Sequence, residues 1–445
     1  MNTMRMRHHL AVAVAVWSLA IFRPAWAEAQ TSGKLASLFE DVFGPRGLVV
    51  NSEAVLPDGS THSAHFNNAF QSNFTQFNVA FVSQLTALPL PSPAAGFTYA
   101  FDPSTGTFRR TTRSFGPILA ERAETIGRGR LSVGFNYQYF SFDSLDDVDL
   151  SSVPAVFTHD DYQLGGGRLD VVTTTNTIEA SLAQWTGAIT YGLTDRIDVS
   201  LAVPVVRTTL SVLSNAEIQR IGTVDPAIHF FQDDTAPGGF GDLKQFAASG
   251  SATGISDLVL RVKGNLLREG TRALALGLDV RLPTGDEKDL LGSGAVGVKP
   301  FAVFSTALGR LAPRANLAYQ WNGESILAND VRSNTKGSLP NILTYVVGTD
   351  VGVSERFSLA LDVLGQHVFD APLLSAQTFT SIDPSHQTFA DIGFRTGSID
   401  AVSGSTGLKI NIAPHILANF NLRFHITGGG LRDRLTPLVG IELGS

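Results

Sequence analysis

The stretch RALALGLDVRLPTGDEKDLLGSG, Arg272 to Gly294, alternates for eleven residues and then stops alternating. Leu274, Leu276, Leu278, Val280 and Leu282 fall on one parity; Ala273, Ala275, Gly277, Asp279 and Arg281 fall on the other. A period of two is that of a strand with two different faces, here one oily and one carrying opposite charges. The pattern recurs. Leu131, Val133, Phe135, Tyr137 and Tyr139 oppose Ser132, Gly134, Asn136 and Gln138, and Leu258, Leu260 and Val262 oppose Arg261 and Lys263. Ala315, Leu317, Tyr319 and Trp321 oppose Arg314, Asn316 and Gln320, while Phe420, Leu422, Phe424 and Ile426 oppose Asn419, Asn421, Arg423 and His425.

A soluble sandwich also alternates, so the period alone leaves two surroundings open. Segment length and connection length separate them. Segments of about nine to eleven residues are what a tilted strand needs to cross a bilayer's hydrocarbon. The connections switch strictly between tight ones, near 192–195, 268–270, 309–312, 353–355 and 413–415, and long ones at 143–170, 213–254, 284–296, 323–340 and 369–404. Counting from 131–142 to the last segment at 435–444 gives twelve strands. The expected fold is therefore all-β, a transmembrane antiparallel up-and-down barrel over residues 131–445, with tight turns in the periplasm and long loops outside.

The amino terminus agrees with that destination. Arg5 and Arg7, an apolar run from Leu10 to Phe22, and Ala25-Trp26-Ala27 are the three parts of a secretory signal, assigned to residues 1–27. Losing Arg5, Arg7 and Arg23, with no Asp or Glu in that stretch, takes the formal charge from -7 to -10. Such an acidic chain is a poor nucleic-acid binder. With no cysteine among 445 residues, neither disulfides nor thiolate chemistry contribute.

Residues 28–130 form a separate, partly helical segment. Phe66, Phe70, Phe74, Phe77 and Phe81 recur at spacings of four, four, three and four, one stripe on a helix. A second short helix is expected at 34–43. The stripe suits a helix packed on a small periplasmic domain, or one inserted in the lumen as a plug or self-associating. The stretch GFTYAFDPSTGTFRRTTRSF reads as a hairpin; joined to the wall, it would raise the count to fourteen strands.

The strings ISDLVLRVKGNLL, LALGLDVRLPTGDEKDLLGSGAVGVKPF and RANLAYQWNG resemble the outer-membrane β-barrel family labelled as meta-pathway phenol-degradation proteins, which are transporter-like. The likeness is strongest over 255–322. The same superfamily includes the export channel for bacterial functional amyloid, a twelve-stranded barrel with a helical plug and a trimerising amino-terminal segment. The resemblance implies passive transport of small hydrophobic or aromatic compounds. The alternative it leaves is a polypeptide-export or structural assembly barrel with a plugged, oligomerising amino-terminal segment. The chain ends in Gly444-Ser445, without the terminal aromatic common in such barrels.

Residues of the polar parity are expected to line the pore: Arg196, Asp198, Arg261, Lys263, Asp279, Arg281, Arg314, Asn316, Gln320, Asp362, Lys409, Arg423 and His425. Their cationic excess fits either anion selectivity or an internal ion-pair network. Acids in the long connections, such as Asp143, Asp146, Asp147 and Asp149, are solvated or bridge divalent ions to lipopolysaccharide. Tyr319 and Trp321 are assigned to the outer lipid boundary and Trp185 to the inner one. The motifs G-x-S-x-G, H-E-x-x-H and G-x-x-x-x-G-K-[ST] do not occur in the chain, His62 and His65 make only two ligands on a helix surface, and the sequence shows no Ser obviously opposite His425. No catalytic, metal or cofactor site is expected. The partners expected are outer-membrane lipid and lipopolysaccharide, a small hydrophobic solute and further copies of the chain, as a trimer.

Overall fold

The structure is a computed structural model describing residues 34–44, 47–55, 64–66, 69–87, 99–102, 107–110, 114–158, 170–222 and 224–444. The signal at 1–27 lies outside these residues, as do His62 and the side chains of His65, Phe70 and Phe74. The amino-terminal elements are a short helix α1 (Leu38–Asp41), strands β1 (Leu48–Val50) and β2 (Ala64–Phe66), a long helix α2 (Ala69–Ala87), and the hairpin β3 (Tyr99–Asp102) and β4 (Thr107–Arg110).

Alternation then organises the rest. Strands β5 (Leu131–Phe142), β6 (Val153–Thr158), β7 (Val171–Gly192), β8 (Ile197–Gln219), β9 (Leu243–Ile255), β10 (Leu258–Glu269), β11 (Arg272–Leu282), β12 (Gly297–Thr306) and β13 (Leu311–Asn322) follow. After the small hairpin β14 (Glu324–Asp330) and β15 (Thr335–Ser338) come β16 (Ile342–Gly352), β17 (Phe357–Thr380), β18 (Thr388–Ala413), β19 (Ile416–His425) and β20 (Leu435–Gly444). Twelve of them, all but β6, β9 and the small hairpins, close into one antiparallel barrel. The last strand returns to the first, with Leu438 opposite Gln138 and Leu443 opposite Val133, and β5 pairs onward to β7 from Leu131–Tyr191 to Phe142–Ala180. The hairpin β3–β4 pairs with itself alone, so the wall has twelve strands and not fourteen.

The opening stretch is β11, and its two faces separate as its period requires. Leu276 and Leu278 point outward, 49% and 42% exposed, whereas Ala275, Asp279 and Arg281 point inward and are buried. Around the wall the outward set continues with Phe135, Ile189, Leu260, Leu317, Val347, Leu361, Phe420 and Val439, all exposed. A closed sheet has no second sheet to cover this belt, and a soluble protein does not leave so large an apolar surface in water. The belt faces lipid, and the strands are transmembrane.

Two long connections differ from expectation. Much of 213–254 and 369–404 is strand, because β8, β9, β17 and β18 continue past the lipid belt as ribbons, with β9 joining β8 and β6 joining β7. On β7 the inward face stays buried at Asn176, Ile178, Ala180 and Leu182, while the outward face is polar at Thr173, Thr175, Thr177 and Glu179. Both parities are partly polar there, which hides the alternation. The outward face turns apolar at Trp185, whose ring lies 5.4 Å from Tyr137. Trp185 thus marks the belt's edge toward the long connections, the edge that Tyr319 and Trp321 also occupy, and not the tight-turn edge.

At the tight-turn end the chain enters β5 by passing very close to the end of β7. Gly129 N–H donates to Gly192 O at 2.8 Å, and Gly192 N–H to Arg130 O at 3.0 Å. A Cβ on Gly192 would lie 1.8 Å from Gly127 O, whereas one on Gly187, in the same strand, would meet nothing within 4 Å. Gly192→Ala is expected to displace this crossing and destabilise the barrel by roughly 1–3 kcal/mol, read as a lower temperature of the folded-to-unfolded gel shift. Gly187→Ala should leave that temperature unchanged. Equal behaviour of the two variants would contradict the crossing.

Candidate functional site: a stoppered lumen

Strands are not all that occupies the inside of the wall. Residues 114–127 have no regular secondary structure, yet each of them is buried. A buried segment outside any ladder must find partners for its backbone elsewhere. Here the partners are inward side chains of the wall. Ser358 of β17 accepts from Phe115 N–H at 3.0 Å, and Ser305 of β12 accepts from Ala123 N–H at 2.9 Å. Asn316 of β13 accepts from Glu121 N–H at 2.7 Å and donates to Glu121 O at 2.9 Å. From β10, Asn265 donates to Ala123 O at 2.9 Å and Lys263 Nζ to the carbonyls of Arg122 and Glu124 at 3.1 and 3.0 Å. Asp198 of β8 accepts from Ile126 N–H at 3.2 Å. The segment is a stopper tied to five strands.

Charge locks it further. Arg261 grips Asp279 with Nε and Nη2 at 2.6 and 2.8 Å and reaches Glu121 with Nη1 at 2.6 Å. Lys263 Nζ meets the other Glu121 oxygen at 3.1 Å. Glu121 is therefore an anion of the inserted segment that answers two cations of the wall. Elsewhere in the lumen Arg314 stands between Asp350 and Asp362, Lys409 meets Glu442 at 2.8 Å, and Arg281 faces Asp257 at 3.5 Å.

The cationic excess on the polar parity is thus largely an ion-pair network. Its acids include Glu121, which precedes the first strand, and Asp350, Asp257 and Glu442. Glu121 could not be found by periodicity, whereas Asp350 shares the inward parity of Val346 and Gly348 and was within reach of that signal. Of the expected lining residues, Asp198, Lys263, Asp279, Arg281, Arg314, Gln320, Asp362, Lys409 and Arg423 are buried inside the wall, and Arg261, Asn316 and His425 are half-buried there. Arg196 does not line the pore. It lies exposed in the tight turn before β8, where parity no longer fixes direction.

The other end is closed by earlier residues. Leu35, Leu38, Phe39 and Phe43 share one core with Phe157, Leu210 and Leu290 from the long-connection end of the barrel. Lys34 bridges to Asp286 and Asp289 at 3.1 and 2.5 Å, and Arg332 to Glu40 and Asp41, each at 2.7 Å. Asn51 and Phe230 exchange backbone hydrogen bonds at 2.9 and 3.0 Å. Nearby, buried Asp170 meets His229 Nδ1 at 2.8 Å. Burial works to raise that carboxyl, but the His229 bond and the Gly222 and Ile221 N–H groups outweigh it and hold the group below the usual carboxylate range. These contacts put residues 34–51 opposite the tight turns. They do not stand at the tight-turn side, where a small periplasmic domain, one reading of the Phe stripe, would lie.

Helix α2 carries only part of the expected stripe. Phe66 lies in β2, because that strand pairs with β1 before the helix begins at Ala69. His65 is likewise in β2 and not on a helix. Phe77 and Phe81 are buried, with Phe77 4.8 Å from Phe39 and Phe81 5.9 Å from Phe142. These two rings fill the chain's own core. In the last turns of α2, Ala80, Ser83, Gln84 and Ala87 border the lumen, and Gln366 Nε2 donates to Ala87 O at 3.2 Å.

Between α2 and the stopper lies a chamber with about 130 Å³ open to the centres of water-sized molecules. Its walls combine apolar residues, including Leu119, Phe301, Val303, Val346, Leu364 and Ile399, with polar ones, among them Glu121, Arg261, Asn316, Gln366, Arg423 and His425. The size is on the order of the apolar cavity of roughly 150 Å³ that admits benzene.

A closed, lipid-facing antiparallel barrel with a segment inserted in its lumen is a β-barrel of the outer-membrane type. Residues 155–368, a little under half of the chain, match the family described as "Putative MetA-pathway of phenol degradation", which bears out over that stretch the resemblance read from the sequence. Solved structures of similar fold include an outer membrane channel from Pseudomonas putida F1, 13% identical, covering 73% of this chain and 98% of that one with a TM-score of 0.42. A Pseudomonas aeruginosa FadL homologue is 11% identical over 79% of this chain and 94% of its own, with a TM-score of 0.30. The CymD monoaromatic hydrocarbon channel is 9% identical over 72% and 89%, with a TM-score of 0.27. No curated protein matches the chain.

Removing the shared anion tests the lock. Glu121→Ala leaves Arg261 and Lys263 without it, a loss of roughly 3–5 kcal/mol for a buried network. Amide hydrogen exchange across 118–126 is expected to accelerate by about a hundredfold or more, with the wall strands unaffected. Unchanged protection of 118–126 would mean that Glu121 does not hold the stopper.

Proposed function

We propose that the protein is a passive outer-membrane channel for small hydrophobic or aromatic compounds, with the chamber as its solute site and residues 114–127 as its inner stopper. In this reading the tight turns face the periplasm and the described residues of 34–51, with α2, cap the outer mouth, following the loop asymmetry of outer-membrane barrels. The observation that carries it is the chamber, sized for one ring, with apolar wall residues and bordered by α2 and by the stopper of the same chain. Ligand sites of this type are concave and oily with a few placed polar groups, which is the composition found here. The phenol-degradation description of the matching family agrees with an aromatic solute. Passage requires one side at a time to yield. Lumenal cations held in ion pairs speak for a solute site over a general anion pore.

Val346 points inward from β16 at the chamber wall. Val346→Trp should fill the space and reduce protein-dependent uptake of radiolabelled phenol, by about tenfold or more, in a porin-deficient host with an intact lipopolysaccharide layer. The folded-to-unfolded gel shift should persist. Uptake that the substitution leaves untouched would contradict the chamber as the solute path.

A further inference from the structure

Resting on that reading of the chamber, one of its polar groups stands apart from the rest. Arg261, Lys263, Arg314 and Lys409 all reach carboxylates. Arg423 does not. It is 5% exposed, its Nε and Nη2 have no hydrogen-bond partner, and no carboxylate lies within ion-pair distance of it among the described residues. Its guanidinium rests 5.3 Å over the face of Phe140. Two residues along the same inward parity, neither ring nitrogen of His425 is hydrogen-bonded. Both residues border the chamber.

Asp433 acts on Arg423 as a counter-charge from beyond ion-pair distance, and its own oxygens are taken by neutral donors. Asp433 accepts from the N–H groups of Ser141 and Leu435 at 3.1 and 2.9 Å and from the Thr436 hydroxyl at 3.2 Å. Across the strands, Arg423 faces Ser405 and Thr436, and His425 faces Ser403, all uncharged. Beyond His425, Asp147 is paired with Arg432 at 3.0 Å. On the chamber's other side Glu121 is held by Arg261 and Lys263, and Lys299 adds another cation 3.8 Å from the shared Asp279. A buried guanidinium is costly without a counter-charge, and its planar fork matches a carboxylate.

We propose that Arg423, with His425 beside it, is an anion-recognising end of the chamber, so that the preferred solute is a small aromatic acid. The carboxylate lies on the Arg423 fork, and the ring lies against Val346, Leu364 and Ile399.

The test uses the full chain in detergent, with benzoate and its uncharged analogue benzyl alcohol as calorimetric probes. Wild-type protein is expected to bind benzoate at least about tenfold more tightly than benzyl alcohol, as a charge-assisted bond requires. Arg423→Gln should weaken benzoate binding far more than benzyl alcohol binding and so remove that advantage, and Arg423→Lys should restore part of it. If Arg423→Gln does not fold, the wild-type comparison of the two probes decides alone. Equal affinities in the wild type overturn the acid-recognising end and leave the chamber reading standing. Absence of binding by both probes overturns the two together.

Discussion

Inside hydrocarbon every backbone N–H and C=O must bond within the protein, and this sequence meets that demand by closing its sheet on itself. The ladder from Leu438–Gln138 to Gly444–Ser132 joins the last strand to the first, so the wall has no free edge within the belt. Closure then fixes everything that the alternation can mean. One parity has no place but lipid, and the other has no place but a narrow interior.

That interior creates a second demand. Twelve strands enclose a bore too wide for wall side chains alone to fill, and the inward parity brings Arg261, Lys263, Arg314, Lys409 and Arg423 into it. Charges there need counter-charges at close range. Some come from other strands of the wall, as Asp279, Asp362 and Glu442 do. Others come from the segment before the barrel, where Glu121 completes the pairing of two wall cations. Wall and stopper are therefore mutually dependent: the segment lacks a ladder without the wall's Ser, Asn and Lys side chains, and the wall lacks an anion without the segment. Arg423 is outside this arrangement, which is why it marks the chamber's functional end.

The parts of this legible in sequence follow from periodicity. Within the lipid belt an apolar parity opposes a polar one, so strand number, strand order and most inward residues could be read directly, Asp279 and Lys263 among them. Where the environment stops being two-sided, the signal fades. The ribbons beyond the belt have polar residues on both faces, which turned strand into expected loop at 213–254 and 369–404 and misplaced Trp185. At Arg196 the parity ran one residue past the strand into a turn. The run PILAERAETIGRGR has neither a strand nor a helix period, because its backbone is satisfied by side chains far away in sequence. Only its mixture of apolar and acidic residues, placed just before the first strand, hinted that it belongs inside.

The claim on which the rest turns is that residues 114–127 sit within the wall of the folded barrel. The natural chain has no cysteine, so a designed pair reports without background. Ala123 N–H and Ser305 Oγ are 2.9 Å apart, joining the stopper to β12. With Ala123→Cys and Ser305→Cys together, mild oxidation of the folded, heat-modifiable protein should form an intramolecular disulfide in nearly every molecule. A folded barrel in which the two thiols remain free and label independently would contradict the account.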